Sequence, residues 1–307
     1  MRRFGARAID RLLPRFVRRL FASIRDDDVP GIAAEASYYV LFALFPFLLF
    51  VAAVARFLGP APEISLVHLF SVLHRFLPTS TAAILTSFLE GPLRASPPYL
   101  LSAGILGILW AGSQGFAAIL KALNRVYCAR ERRNWIKRRG LALAMMGVAA
   151  VALLAVLFTM DPGGLLSVWS SLPPVLTQVW AWARWPVLFA ILTLVLGWFY
   201  TNVPCVERTR RWITPGGLVA SFVWLLTSAG LAAYIDTRSK AYARLYGAVG
   251  DVIILLLWIY VGVFVMLVGA EINTALDRKT APSTLPAGPE RAPASSGRHA
   301  EPARRSA

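Results

Sequence analysis

Residues 247–273 read GAVGDVIILLLWIYVGVFVMLVGAEIN, and the nineteen positions from Val252 to Ala270 carry no charged side chain. At about 1.5 Å rise per residue such a run crosses roughly 30 Å of bilayer hydrocarbon, and a helix satisfies every backbone donor and acceptor within the segment. A strand needs no such length. The run opens after Gly247 and Gly250, where Asp251 can cap the first turn, and it closes on Glu271, Asn273, Asp277, Arg278 and Lys279. Five comparable runs precede it, at about residues 36–57, 99–120, 141–160, 186–203 and 215–235. With 252–270 they predict an all-α, polytopic membrane protein whose six transmembrane helices occupy residues 29–277.

Composition agrees. The 307 residues are 57% hydrophobic with a mean hydropathy of +0.59, more apolar surface than a soluble domain could cover. Lys and Arg number 32 against 16 Asp and Glu, a formal charge of +16 that points to nucleic acid, anionic lipid or cytoplasmic loops. Cys128 and Cys205 are the only cysteines, which excludes a disulfide scaffold and a CxxC metal site. The first residues interleave apolar side chains with arginine and lead to no small-residue cleavage site, so a signal peptide is not expected.

Residues 1–28 place Ile9, Leu12, Leu13, Phe16, Val17, Leu20 and Ile24 on one helical stripe, with Arg7, Arg11, Arg15, Arg18 and Arg19 elsewhere. This is the pattern of a helix lying on a membrane surface, which Pro14 would kink or split. The first span holds Pro46 at its middle. Between Pro60 and Pro98, Leu66, Phe70, Leu73 and Leu77, then Ile84, Leu85, Phe88 and Leu89, predict two short amphipathic helices on the external face. The second span is rich in small residues, and Ala111 with Gly115 predicts a close helix approach. Asp161-Pro162-Gly163-Gly164 reads as a turn, Trp169, Trp180, Trp182 and Trp185 as a headgroup-level belt, Thr214-Pro215 as a helix start, and Asp236–Tyr246 as an external loop. Residues 278–307 are Pro, Ala, Ser, Gly and charge, a composition that predicts a disordered tail.

With the N-terminus inside, the cytoplasmic side collects eight Lys/Arg before the first span, eight in residues 121–139, three in the fourth connection and six in the tail, 25 of the 32. The positive-inside rule therefore predicts an N-in, C-in topology. Arg132, Arg133, Arg138 and Arg139 in the basic connection, with Arg7, Arg11, Arg15 and Arg18, are candidates for contact with anionic headgroups of membrane lipids. Nucleic acid is not an expected partner, because no base-reading module appears and Trp135 alone makes a poor stacking platform.

The segments AAEASYYVLFALFPFLL (33–49), ILKALNRVY with NWIKRRGLAL (119–143), ITPGGLVASFVWLL (213–226) and YGAVGDVIILLLWIYVGVFVMLVGAEIN (246–273) resemble, in order and spacing, the YihY/BrkB family of bacterial inner-membrane proteins over roughly residues 28–276. The resemblance implies a six-helix domain in the bacterial cytoplasmic membrane and a link to serum resistance or envelope function. The ribonuclease BN label the family once carried is regarded as misplaced. Asp251 departs from the small or apolar residue usual at that place in the family.

A ribonuclease would need a metal cluster or an acid and base pair, and His68, His74 and His299 stand near no carboxylate cluster in a ligand pattern. GxSxG is absent, and the Gly250-Asp251 pair has no second membrane aspartate to form a protease dyad. An enzyme is not expected, nor a metal or other cofactor. Polar groups at the membrane boundary are the better leads. Glu35 begins the first span and Glu271 ends the sixth, where they could face each other or pair with Arg125 or Arg139. Gln114 lies deeper, in the second span. Glu35, Gln114, Glu271 and Asn273 are thus candidates to line a cytoplasm-facing polar cavity, or else they are interfacial and structural. The expected function is transport or lipid handling of the flippase or scramblase kind, acting on an envelope amphiphile. The alternative is a non-transporting structural or assembly factor that docks envelope proteins.

Overall fold

The computed structural model describes residues 15–58, 98–129, 131–160, 173–205, 212–246 and 248–280. Seven helices account for nearly all of them: α1 (Arg15–Asp26), α2 (Val29–Leu58), α3 (Pro98–Val126), α4 (Trp135–Met160), α5 (Pro174–Asn202), α6 (Pro215–Tyr246) and α7 (Ala248–Thr280). No strand occurs among the described residues. Arg7 and Arg11, Pro14, the external helices expected over 60–98, the Asp161–Gly164 turn, Trp169, all three histidines and residues 281–307 lie outside them.

Helices α2 to α7 run from 26 to 33 residues, about 40–50 Å at the helical rise and so longer than the hydrocarbon layer. Five of them contain segments long and apolar enough to cross a membrane, within α2, α3, α4, α5 and α7, while α6 carries a shorter apolar stretch, Pro215–Leu231. Their outward faces are apolar as well: Leu106, Val151, Phe222 and Leu226 are each more than three-fifths exposed. Helices apolar all round belong in lipid.

The core forms where these helices meet. Leu123 and Val126 of α3, Met145 of α4, Tyr200 of α5 and Leu267 of α7 are almost wholly buried in one cluster. Close approach depends on small residues. A Cβ on Gly115 would stand 2.8 Å from the Ala43 Cβ and 3.1 Å from the Val40 Cα, so α2 can lie against α3 only because that methyl is missing. Ala111, the other half of the expected pair, is exposed; its neighbour Gly112 is buried, where a Cβ would stand 2.9 Å from the Met146 side chain of α4. At the other side of the bundle Gly216 of α6 faces Gly269 of α7 backbone to backbone, and the Tyr200 hydroxyl of α5 donates to the Met266 carbonyl at 2.6 Å.

Two boundaries differ from the sequence reading. The fourth span was expected to begin at Pro186; α5 begins at Pro174, twelve residues earlier, and Pro186 lies inside it. Pro173 and Pro174 supply the start, and a mid-helix proline is tolerated where packing and lipid hold the span. Trp180, Trp182 and Trp185 consequently stand on α5 itself, ahead of Pro186. The segment 236–246, expected as a loop, continues α6 to Tyr246, as its Arg, Lys, Ala and Leu content favours. Asp251 falls inside α7, three residues past its first, not at the cap position.

Candidate functional site

Four local arrangements gather the polar residues that bear on a site. The first is a recess of about 110 Å³ between α3 and the start of α4, lined by Trp110, Gln114, Trp135, Arg138 and Arg139. The Arg139 guanidinium stacks over the Trp110 ring, 3.8 Å from its centroid, and donates to the Gln114 Oε1 at 3.3 Å and to the Trp110 carbonyl. The Trp135 ring stands 5.7 Å from that of Trp110, and both indoles are about half exposed. Asn134 caps α4 by accepting the Lys137 N–H at 3.1 Å, leaving the positive end of the helix beside the recess.

A second arrangement joins the α3–α4 connection to the end of α5. Asn124 donates to Glu131 at 2.7 Å and accepts the Cys205 N–H at 3.0 Å, while the Cys205 thiol donates to Glu131 at 3.1 Å. Glu131 also accepts the Arg133 N–H at 3.0 Å, and the Arg133 side chain donates to the Val203 carbonyl at 2.7 Å. Arg133 therefore caps the C-terminus of α5, where a cation complements the exposed carbonyls. Burial alone would raise the Glu131 carboxyl, but the Cys205 and Arg133 hydrogen bonds and the charges of Arg133 and Arg138 outweigh it and hold the group below its ordinary value. α3 ends in a Schellman turn: Ala129 N–H reaches the Asn124 carbonyl and Cys128 N–H the Arg125 carbonyl, with Cys128 in the left-handed region at φ 50°.

Asn273 makes the third. Its Oδ1 accepts the buried Gly216 N–H at 2.8 Å and its Nδ2 donates to the Thr214 hydroxyl at 3.2 Å, while that hydroxyl accepts the Gly217 N–H at 3.0 Å. One α7 side chain thus caps the first turn of α6. Glu271, two residues away, is buried as well, at 2% exposure, and is not free of partners.

The fourth is the Glu35–Lys121 ion pair at 2.7 Å between α2 and α3, with both side chains well exposed. Glu35 thus pairs with Lys121 rather than with Arg125 or Arg139. An apolar cleft of about 210 Å³, partly open to the surface, lies between α2, α3, α5, α6 and α7, walled by Trp224, Trp258 and aliphatic side chains.

Three of the four residues singled out for one polar cavity have separate partners. Gln114 joins the α3–α4 recess, Glu35 a surface pair and Asn273 a helix cap, and none of the four lines the apolar cleft. Of the arginines proposed for headgroups, Arg18, Arg132 and Arg138 are exposed; Arg139 stacks in the recess and Arg15 opens α1. Trp110, Asn124 and Glu131 were not singled out in the sequence. Asn124 lies in the quoted ILKALNRVY segment, but nothing local marks its distant partner Cys205.

Long helices apolar on their outward faces, closed around an apolar core with small residues at their contacts, define a multi-pass α-helical membrane protein. Residues 20–294 match the family Virulence factor BrkB, and the chain belongs to that family. It is 30% identical over 268 residues to the ribonuclease-like protein YfkH of Bacillus subtilis, covering 86% of this chain and 96% of that one. A UPF0761 membrane protein of Cronobacter sakazakii is 27% identical over 268 residues, 85% of this chain and 88% of its own. One of Vibrio vulnificus is 23% identical over 273 residues, 86% and 83% of the two chains. No solved structure matches.

Proposed function

We propose that the protein resides in the bacterial cytoplasmic membrane with six crossings and both termini inside, and that it handles an envelope amphiphile, moving or sheltering it between its helices. The observation that carries this reading is that one bundle holds both a polar, arginine-lined recess and a separate apolar cleft between its helices. A headgroup needs the first environment and an acyl chain the second. Positive charge concentrated in residues 121–139 supports the orientation, and the bacterial relatives support the membrane. Reconstituted into liposomes, the purified protein should move headgroup-labelled lipid between leaflets faster than protein-free vesicles do. Equal rates would refute transport.

A structural or assembly role, with envelope proteins as partners, is the second reading. It is favoured by the Asn124–Glu131–Arg133–Cys205 network, which ties two connections into one firm face on the side assigned to the cytoplasm. Under it the liposomes stay inert while envelope defects of a deletion strain are still restored.

A further inference from the structure

We propose that the recess between α3 and α4 is a binding site for the phosphodiester headgroup of an anionic glycerophospholipid in the leaflet that faces residues 121–139. The proposal rests on the membrane placement given above and not on translocation. Its first ground is charge: two guanidinium groups, Arg138 and Arg139, line one recess that no carboxylate lines. Glu131 lies close enough to feel the Arg138 charge, but its oxygens are engaged by Asn124, Cys205 and the Arg133 N–H.

The second ground is preorganisation. Arg139 is held in place by the Trp110 ring and by two hydrogen bonds, which leaves other N–H donors of its five for a ligand. A guanidinium fixed in this way offers the planar fork that suits phosphate oxygens, and it loses little rotamer freedom on binding. The N-terminal turn of α4 adds the positive end of a helix, which favours an anion at the same place. Volume agrees too, since about 110 Å³ is the space of roughly four liquid waters.

The third ground separates a lipid from a soluble anion. Trp110 and Trp135 form the rim and are half exposed, as indoles are at the headgroup level of a bilayer, and Ala117 with Leu120 supplies an apolar wall. A free phosphate gains nothing from these surfaces. The glycerol and ester region of a lipid covers them.

The test uses the full chain purified in neutral detergent and native mass spectrometry of bound phosphatidylglycerol and phosphatidylcholine, each added at equal concentration. The protein should retain phosphatidylglycerol preferentially, and Arg138→Gln and Arg139→Gln should each weaken that retention about tenfold, the loss of one charge-assisted contact. Lys137→Gln, one residue before and outside the recess, should weaken it a few-fold at most, as loss of one surface charge from a diffuse field does. Arg138 is exposed and its charge favours the Glu131 carboxylate, so Arg138→Gln is read beside thermal unfolding; an unchanged transition shows that lost retention is lost binding. Equal retention of the two lipids, or a Lys137→Gln effect as large as that of Arg138→Gln, would overturn the proposal. So would inorganic phosphate binding that depends on Arg138 in a protein retaining no phosphatidylglycerol. Retention of phosphatidylglycerol without movement of labelled lipid in liposomes sinks the transport reading alone; movement of lipid without Arg138-dependent retention sinks this one alone.

Discussion

Replacing Asn273 with alanine should destabilise the protein by about 2 kcal/mol, and the structure shows where that figure comes from. At an exposed helix start, loss of an Asn cap costs about 1 kcal/mol, because water takes over the freed N–H. Gly216 is buried, and its N–H has the Asn273 Oδ1 as acceptor at 2.8 Å, so stranding it adds part of the roughly 1–3 kcal/mol carried by an unsatisfied buried donor. The Thr214 hydroxyl loses its 3.2 Å donor as well. Against this, alanine is the better helix former within α7 and returns about 0.6 kcal/mol. Reversible unfolding in mixed micelles, followed by circular dichroism, measures the difference. The same variant with Thr214→Ala should show a coupling of at least about 0.5 kcal/mol, since the two side chains share one network. A loss below about 0.5 kcal/mol, the range of ordinary surface substitutions, or strict additivity of the two changes, would refute the capping role and return Asn273 to the candidates for a solute path.

Gly216→Ala should destabilise by roughly 3 kcal/mol, the upper part of the overpacking range, because the new methyl meets the Gly269 carbonyl and stands 2.7 Å from the Asn273 Oδ1. Gly107→Ala, whose methyl would meet nothing within 4 Å, should be neutral or stabilising by up to about 1 kcal/mol in the same unfolding experiment. The Glu131 carboxyl is held below its ordinary value, so its contribution is complete above the unfolded carboxyl range near 4.5 and is lost as pH falls through the lower folded value; Glu131→Gln should flatten stability against pH on that acid side only. Glu35→Gln and Lys121→Met should each change stability by less than about 1 kcal/mol, since the pair between them is exposed, and a large effect on lipid movement from either would restore Glu35 as a functional residue. Cys128→Gly should stabilise by up to about 1 kcal/mol, relieving a left-handed backbone at the close of α3.

The helical, membrane-embedded class was legible because it rests on local quantities. Long uncharged runs such as Val252–Ala270 can satisfy their backbones in lipid only as helices, and the order of four segments was enough to identify the family. Boundaries were less legible where local signals compete. Pro186 reads as a helix start by its missing N–H, yet α5 runs through it because Pro173 and Pro174 already provide one. Helix α6 continues through the charged residues 236–246, whose polarity was taken for a loop although their helix propensity is good.

From the sequence by itself came the membrane class, the placement of positive charge along the chain and the residue types available at the bilayer edge, since each depends on composition within a few turns of helix. The pairing of those residues was settled by tertiary structure alone. Asn273 and Gly216 are 57 residues apart and Asn124 and Cys205 81 apart, and no short-range pattern encodes such partners. Close packing at positions such as Gly115, Gly216 and Gly269 helps decide which helix faces meet. Contacts of Arg139 with Trp110 and Gln114 set the recess between α3 and α4.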